Sequence, residues 1–162
     1  MRSPIGVWLA AGSAALMAGL GSGPAMAQAA YGSYVGVGGS FGSSGASGVA
    51  FTGRYRILEA PISIRAQALV GGGGVALVPT VSLDIPIDWQ TEAYVGAGVT
   101  LPSGNNTPVG DRASFAVQPG IDYSVPESNT VIFGNAVIAF NGRRDGGGTA
   151  ISVQGGVGFQ LR

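Results

Sequence analysis

The sequence predicts an all-β fold: a single antiparallel up-and-down barrel of eight strands behind a removable export signal. Three observations predict it. First, Ile151, Val153, Gly155, Val157, Phe159 and Leu161 occupy every second position of the last segment, with Ser152, Gln154, Gly156, Gly158 and Gln160 between them. This is the alternation of a strand with one apolar and one polar face. Second, the pattern recurs in eight segments from Tyr31 onward. Third, most of these runs are 9 to 13 residues long. Globular strands average about 5–6 residues, whereas a strand that crosses a membrane needs about 9–11. Long strands in an even number therefore predict a transmembrane barrel.

The chain opens Met1-Arg2-Ser3-Pro4, continues with an apolar run over residues 5–20, and reaches Ala25-Met26-Ala27 after a Gly/Ser/Pro break. One positive charge, an apolar stretch and a small-x-small site describe a secretory signal peptide over 1–27. The run of 16 residues is short for a retained helix, which needs about 20. The mature domain is then 28–162, or 162 − 27 = 135 residues, with seven Arg against eight Asp+Glu once Arg2 is gone. Lys, His and Cys are absent. No basic patch suits nucleic acid, and no disulfide scaffold is possible, so the domain must be held by another means, such as a closed sheet.

In order, the strands are expected over 31–41, 49–57, 62–70, 75–85, 91–101, 113–124, 130–140 and 149–161. The connections between them alternate in character. Leu58-Glu59-Ala60-Pro61, the 86–90 turn and the 125–129 turn are compact and contain Pro; the 42–48, 71–74, 102–112 and 141–148 segments are Gly/Ser/Asn-rich. Outer-membrane barrels have short periplasmic turns and longer outer loops, which assigns the Pro turns and both termini to the periplasmic side. Pro79 and Pro119 fall inside strands, where each removes a ladder donor, and they are expected to mark bulges or bends.

Alternation assigns the faces. Val35, Val37, Val49, Phe51, Ile62, Ile64, Val75, Leu77, Val81, Leu83, Val95, Val99, Phe115, Val117, Ile121, Val153 and Val157 point outward. Arg54, Arg56, Arg65, Gln67, Thr80, Ser82, Asp84, Glu92, Tyr94, Gln118, Asp122, Gln154 and Gln160 point inward. The seventh strand is apolar on both faces; taking Ile132, Ala136, Ile138 and Phe140 outward puts Asn135 inside. Tyr31, Tyr55, Trp89, Tyr123 and Phe159 then lie near the periplasmic ends, and Phe41, Phe51, Phe115 and Phe140 near the outer ends. Two such bands are the interfacial girdles of a membrane barrel.

Six charges share the inner face and the periplasmic half: Arg54, Arg56 and Arg65 against Asp84, Glu92 and Asp122. A balanced set in a narrow interior is expected to pair. It reads either as an ion network plugging the lumen or as a charged constriction in a pore, and filling by side chains is the rule for eight strands. As catalytic groups the three carboxylates are unpromising, because neighbouring Arg keeps them ionised and no His, Cys or Lys is present to build a nucleophilic site. No enzyme, cofactor or metal site is expected. Tyr34-Val35-Gly36-Val37-Gly38 and Tyr94-Val95-Gly96-Ala97-Gly98 are near copies. A phosphate cradle would need a helix after the glycines; lumen glycines that make room for Arg and Tyr need none. Arg112, Arg143 and Arg144, beside Asp111 and Asp145 in the outer loops, either meet lipid phosphates or solvate the loops.

With eight strands over the mature chain, the Tyr34–Gly38 opening and the alternating C-terminal strand, the sequence resembles the small eight-stranded outer-membrane proteins of the OmpA/OmpX type and short cyanobacterial outer-membrane proteins. Such families end on an aromatic residue read during insertion; here Phe159 and Leu161 keep the alternation and Arg162 follows. The resemblance implies an outer-membrane location, insertion by the barrel-assembly machinery, contact with outer-membrane lipid and a monomer without nucleic-acid partners. Three roles fit: a structural or surface-interaction barrel with a plugged lumen, a narrow porin-like channel for ions or small solutes, and a soluble secreted barrel carrying an apolar ligand. The first prediction is that the exported protein begins at Gln28, which N-terminal sequencing checks; an intact Met1 would contradict it.

Overall fold

All the strands but the seventh carry one apolar and one polar face, and the sheet they build hides every backbone edge only by closing on itself. A computed structural model, which describes residues 32–43, 45–57, 60–104, 106–143 and 148–161, has this form. The strands are β1 (Tyr34–Gly42), β2 (Ser47–Ile57), β3 (Ile62–Gly71), β4 (Gly74–Pro86), β5 (Thr91–Ser103), β6 (Ser114–Ser124), β7 (Thr130–Ala139) and β8 (Ala150–Gln160). Each pairs antiparallel with the next, and β8 pairs with β1. The expected strands all form, with ends moved by at most three residues. The export segment 1–27 with Ala25-Met26-Ala27, and also Tyr31, Glu59, Arg144, Asp145 and Arg162, lie outside the described residues.

The register fixes the barrel's shape. Following partners from Asp84 through Tyr94, Gly120, Asn135, Gln154, Ser40, Gly48 and Gly71 leads back to β4 at Gly74. The circuit is staggered by 84 − 74 = 10 residues. Ten residues shared over eight strands correspond to a strand tilt of about 40°. On β4 the outward run Val75, Leu77, Pro79, Val81, Leu83 and Ile85 rises about 33 Å along the strand. That is about 25 Å along the axis, the height of the apolar band on membrane barrels.

The faces are inverted relative to a globular domain. Phe41, Val81, Leu83 and Val153 are 67, 56, 52 and 54 % exposed, while Arg54, Arg65, Asp84 and Asp122 are almost completely buried. All residues assigned outward or inward lie on the expected side. On β7, Val131, Phe133, Asn135 and Val137 face in and Ile132 faces out. Phe41, Phe115 and Phe140 rim the loop end, with Phe115 stacked on Phe140 at 6.1 Å. Phe51, expected in that rim, lies five residues into β2 and opposite Val37, well inside the band.

The prolines correct a second expectation. Neither Pro79 nor Pro119 makes a bulge, because the register on each side of them is unbroken. Pairing lapses only between β4 and β5 at Pro79 and between β6 and β7 at Pro119; the β3–β4 and β5–β6 ladders run through Ala66↔Pro79 and Val95↔Pro119. In an antiparallel pair a residue's N–H points to one neighbour only. The missing donor therefore costs contact on one side, and no extra residue is inserted.

The turns follow local chemistry. β3 and β4 join through Gly72-Gly73, both at positive φ (66° and 90°), as a tight two-residue hairpin turn demands. Between β4 and β5, the N–H groups of Gln90 and Thr91 donate to Asp88 Oδ1 at 2.8 Å each. These bonds hold the Asp88 carboxyl below the usual carboxylate range and leave Trp89 at the turn's tip, 88 % exposed.

Candidate functional site

The interior divides into three levels by register, and the lowest, at the end with the termini and Pro turns, is the ion network. Arg54 on β2 is the direct cross-strand partner of Arg65 on β3. Glu92 on β5 is the direct partner of Asp122 on β6. Like charges side by side on neighbouring strands repel, so neither wall is stable alone. Across the lumen they meet. Arg54 bridges Asp84 (3.1 Å), Asp122 (3.2 Å) and Glu92. Arg65 bridges Asp122 (3.0 Å) and Asp84 (3.4 Å), and Arg56 reaches Glu92 at 2.8 Å. The six predicted lumen residues thus form one connected set, with Arg54 touching all three carboxylates.

Neutral groups complete it. Arg54 Nε donates to Ser63 Oγ (3.1 Å) and Arg65 Nε to Ser82 Oγ (3.0 Å). The Tyr34 hydroxyl donates to Asp122 Oδ1 at 2.9 Å, and Ser82 and Ser63 donate to Asp84. The Arg65 guanidinium stacks 3.3 Å above the Tyr94 ring, a favourable cation–π geometry. Gly120 leaves the room for that ring: a Cβ there would run into the Tyr94 phenol and, at 2.7 Å, the Asn135 Cβ. All six carboxylate oxygens are engaged. Among the described residues no cluster of His, Cys, Asp or Glu is placed to hold a metal.

Above the network lies a belt of amides and hydroxyls: Thr52, Gln67, Thr80, Gln118, Asn135 and Gln154. Thr80 donates to Gln118 at 2.7 Å, and Gln154 donates to Ser40 at 3.2 Å. The upper level holds an apolar cluster beside the buried hydroxyls of Ser40, Thr100 and Ser152. Ala50, Leu69, Ala76, Val78, Ala116 and Val137 pack there around Val109, which is fully buried.

Val109 belongs to no strand. It sits between β5 and β6, in the stretch 106–112, which folds into the mouth of the barrel. The turn Thr107–Gly110 is held by N–H···O bonds of 3.2 and 3.0 Å in both directions, and its four residues are buried. Asp111 and Arg112 donate from their backbones to the Gly142 carbonyl at 2.9 and 3.0 Å. Gly42 at the end of β1, Gly72 in the β3–β4 turn and Gly142 after β7 lie against this lid. A Cβ on Gly42 would meet Pro108 Cα at 2.9 Å, one on Gly72 the Asn106 carbonyl, and one on Gly142 the Val109 carbonyl at 3.0 Å. Sequence reasoning treated 102–112 as an outer loop only; its lone Pro-Val pair in a polar Gly/Asn/Ser context was the available signal. Of the loop arginines, Arg112 is exposed and its N–H donates to the carbonyl of Gly142, the residue before Arg143, while Arg143 donates to Ser43 Oγ at 2.5 Å; Arg144 lies outside the described residues.

No family model matches the chain, and no curated protein does. Two solved structures share its fold. One comes from a de novo design of transmembrane β-barrels: TM-score 0.60, 13 % identity, covering 80 % of this chain and 94 % of that one. The other is Neisserial surface protein A: TM-score 0.56, 14 % identity, covering 80 % of this chain and 97 % of that one. The chain is therefore a closed eight-stranded antiparallel β-barrel of the architecture found in transmembrane barrels. At this level of identity the likeness concerns the fold.

Removing one member of the network should strand buried charges. Arg65→Met should destabilise the barrel by about 3–5 kcal/mol. Combined with Asp122→Asn, it should cost less than the sum of the two single losses. Denaturant unfolding in detergent or lipid vesicles measures both; strictly additive, sub-kcal effects would contradict the network.

Proposed function

We propose that this protein is an exported outer-membrane barrel of the OmpA/OmpX kind, with a plugged lumen and a structural or surface-interaction role. The observation that carries the reading is the inversion of its faces: an apolar band about 25 Å high outside, and buried, paired charges inside. Water does not favour such an exterior, and lipid does. A soluble barrel that carries an apolar ligand would need its apolar lining inside. The polar lumen favours a second reading, a narrow porin-like channel, but the ion network below and Val109 above both oppose conduction. The saturated carboxylates likewise support a role without catalysis.

On this reading the barrel-assembly machinery inserts a monomer, the Pro turns face the periplasm and the Gly-rich loops face outward. Exposed Arg112, and Arg143 and Arg144 on the last loop, are the candidates for lipid-phosphate contact. What the protein then does is to brace the membrane and present these loops.

The test places arginine on each face. Val99→Arg and Val153→Arg put a charge against lipid near mid-height and should cost roughly 2–4 kcal/mol each, seen as loss of the folded, heat-modifiable band on unheated gels after refolding into lipid vesicles. Gln154→Arg, on the inner face, should lose far less. Equal loss on both faces, or a wild-type protein that fractionates as a freely soluble species without detergent, would contradict the reading.

A further inference from the structure

Four buried polar atoms in the amide belt have no protein partner: Gln67 Oε1, Gln67 Nε2, Asn135 Oδ1 and Gln154 Oε1. Gln67 and Gln154 are each 2 % exposed and Asn135 is 7 % exposed. β3 stands four strands from β7 in the ring of eight, so Gln67 looks across the lumen toward Asn135. Asn135 is in turn the cross-strand partner of Gln154. With the ten-residue stagger shared over eight strands, the three side chains fall at one height to within about one residue. Asn135 Cβ and the Tyr94 hydroxyl both lie beside Gly120, which places Asn135 directly above the ion network.

Buried polar groups in folded proteins find partners, from the protein or from ordered water. The unpaired set here is three acceptors and one donor. A cation would satisfy the oxygens and be repelled by the Gln67 N–H; an anion would do the reverse. A molecule that both donates and accepts fits all four. We infer that the belt is a binding site for ordered water, held between Gln67, Asn135 and Gln154 and enclosed by the ion network on one side and the Val109 lid on the other. A buried water makes roughly three hydrogen bonds, so about two molecules fill the site. The site follows from the geometry of the lumen and does not depend on the role proposed above.

The experiment is water-to-amide magnetisation transfer, by NOESY and ROESY, on the ¹⁵N-labelled barrel folded in detergent micelles. Long-lived-water cross-peaks are expected at the side-chain amides of Gln67, Asn135 and Gln154. Gln67→Leu deletes two of the four polar atoms and should abolish the cross-peaks at the other two residues; if that variant does not fold, the wild-type spectrum decides. Direct contacts of Gln67 with Asn135 or Gln154, with no water cross-peak, would overturn the inference. So would saturable shifts of these resonances with sodium or potassium at constant ionic strength, which would make the belt a cation site.

Discussion

Two arginines stand side by side on one wall of the lumen and two carboxylates side by side on the other, and neither wall is tolerable without its opposite. Arg54 and Arg65 are direct cross-strand partners, as are Glu92 and Asp122. Within each pair the charges repel. Only a closed ring brings β2–β3 face to face with β5–β6, and in that arrangement Arg54 alone reaches all three acids. Opposing walls of like charge thus favour the closed ring over open sheets. Desolvating six charges is expensive, and the expense is tolerable because Ser63, Ser82 and Tyr34 complete the network's hydrogen bonds and Tyr94 covers Arg65.

The other end of the barrel is closed by different means. There an apolar cluster stands beside the hydroxyls of Ser40, Thr100 and Ser152, and a loop supplies one of its side chains. Val109 fills the space among Ala50, Leu69, Ala76, Val78, Ala116 and Val137, and its loop lies on Gly42, Gly72 and Gly142, where any larger residue would collide with it. The lumen thus holds paired charges below and the packed Val109 loop above, with the amide belt between. The two ends have different vulnerabilities: the lower depends on partners being present, the upper on volume.

The strands were legible because their signal is local. Period-two alternation with Gly and Pro punctuation located every strand, and the wish to bury Asn135 chose the right face of β7, where both faces are apolar. The six network residues could be placed on one face and in one half for the same reason. Their partnerships could not be read, because who meets whom depends on the ten-residue stagger of the closed ring, which no single strand encodes. The lid was invisible for a similar reason: besides Ala116 on the adjoining β6, Val109 finds its partners on four strands more distant in sequence. The bulges expected at Pro79 and Pro119 fail on a more local point. A proline removes a donor aimed at one neighbour, so the ladder lapses on that side while the register continues.

The central claim is that the lumen is shut at both ends by the protein's own side chains. Single-channel recording in planar bilayers tests it most directly. The intact barrel should give no steady current steps, and weakening both seals at once, with Arg54→Ala and Val109→Gly, should bring steps into view. Steady ion-selective steps from the intact protein, with selectivity altered by Arg54→Ala alone and little change in stability, would contradict it.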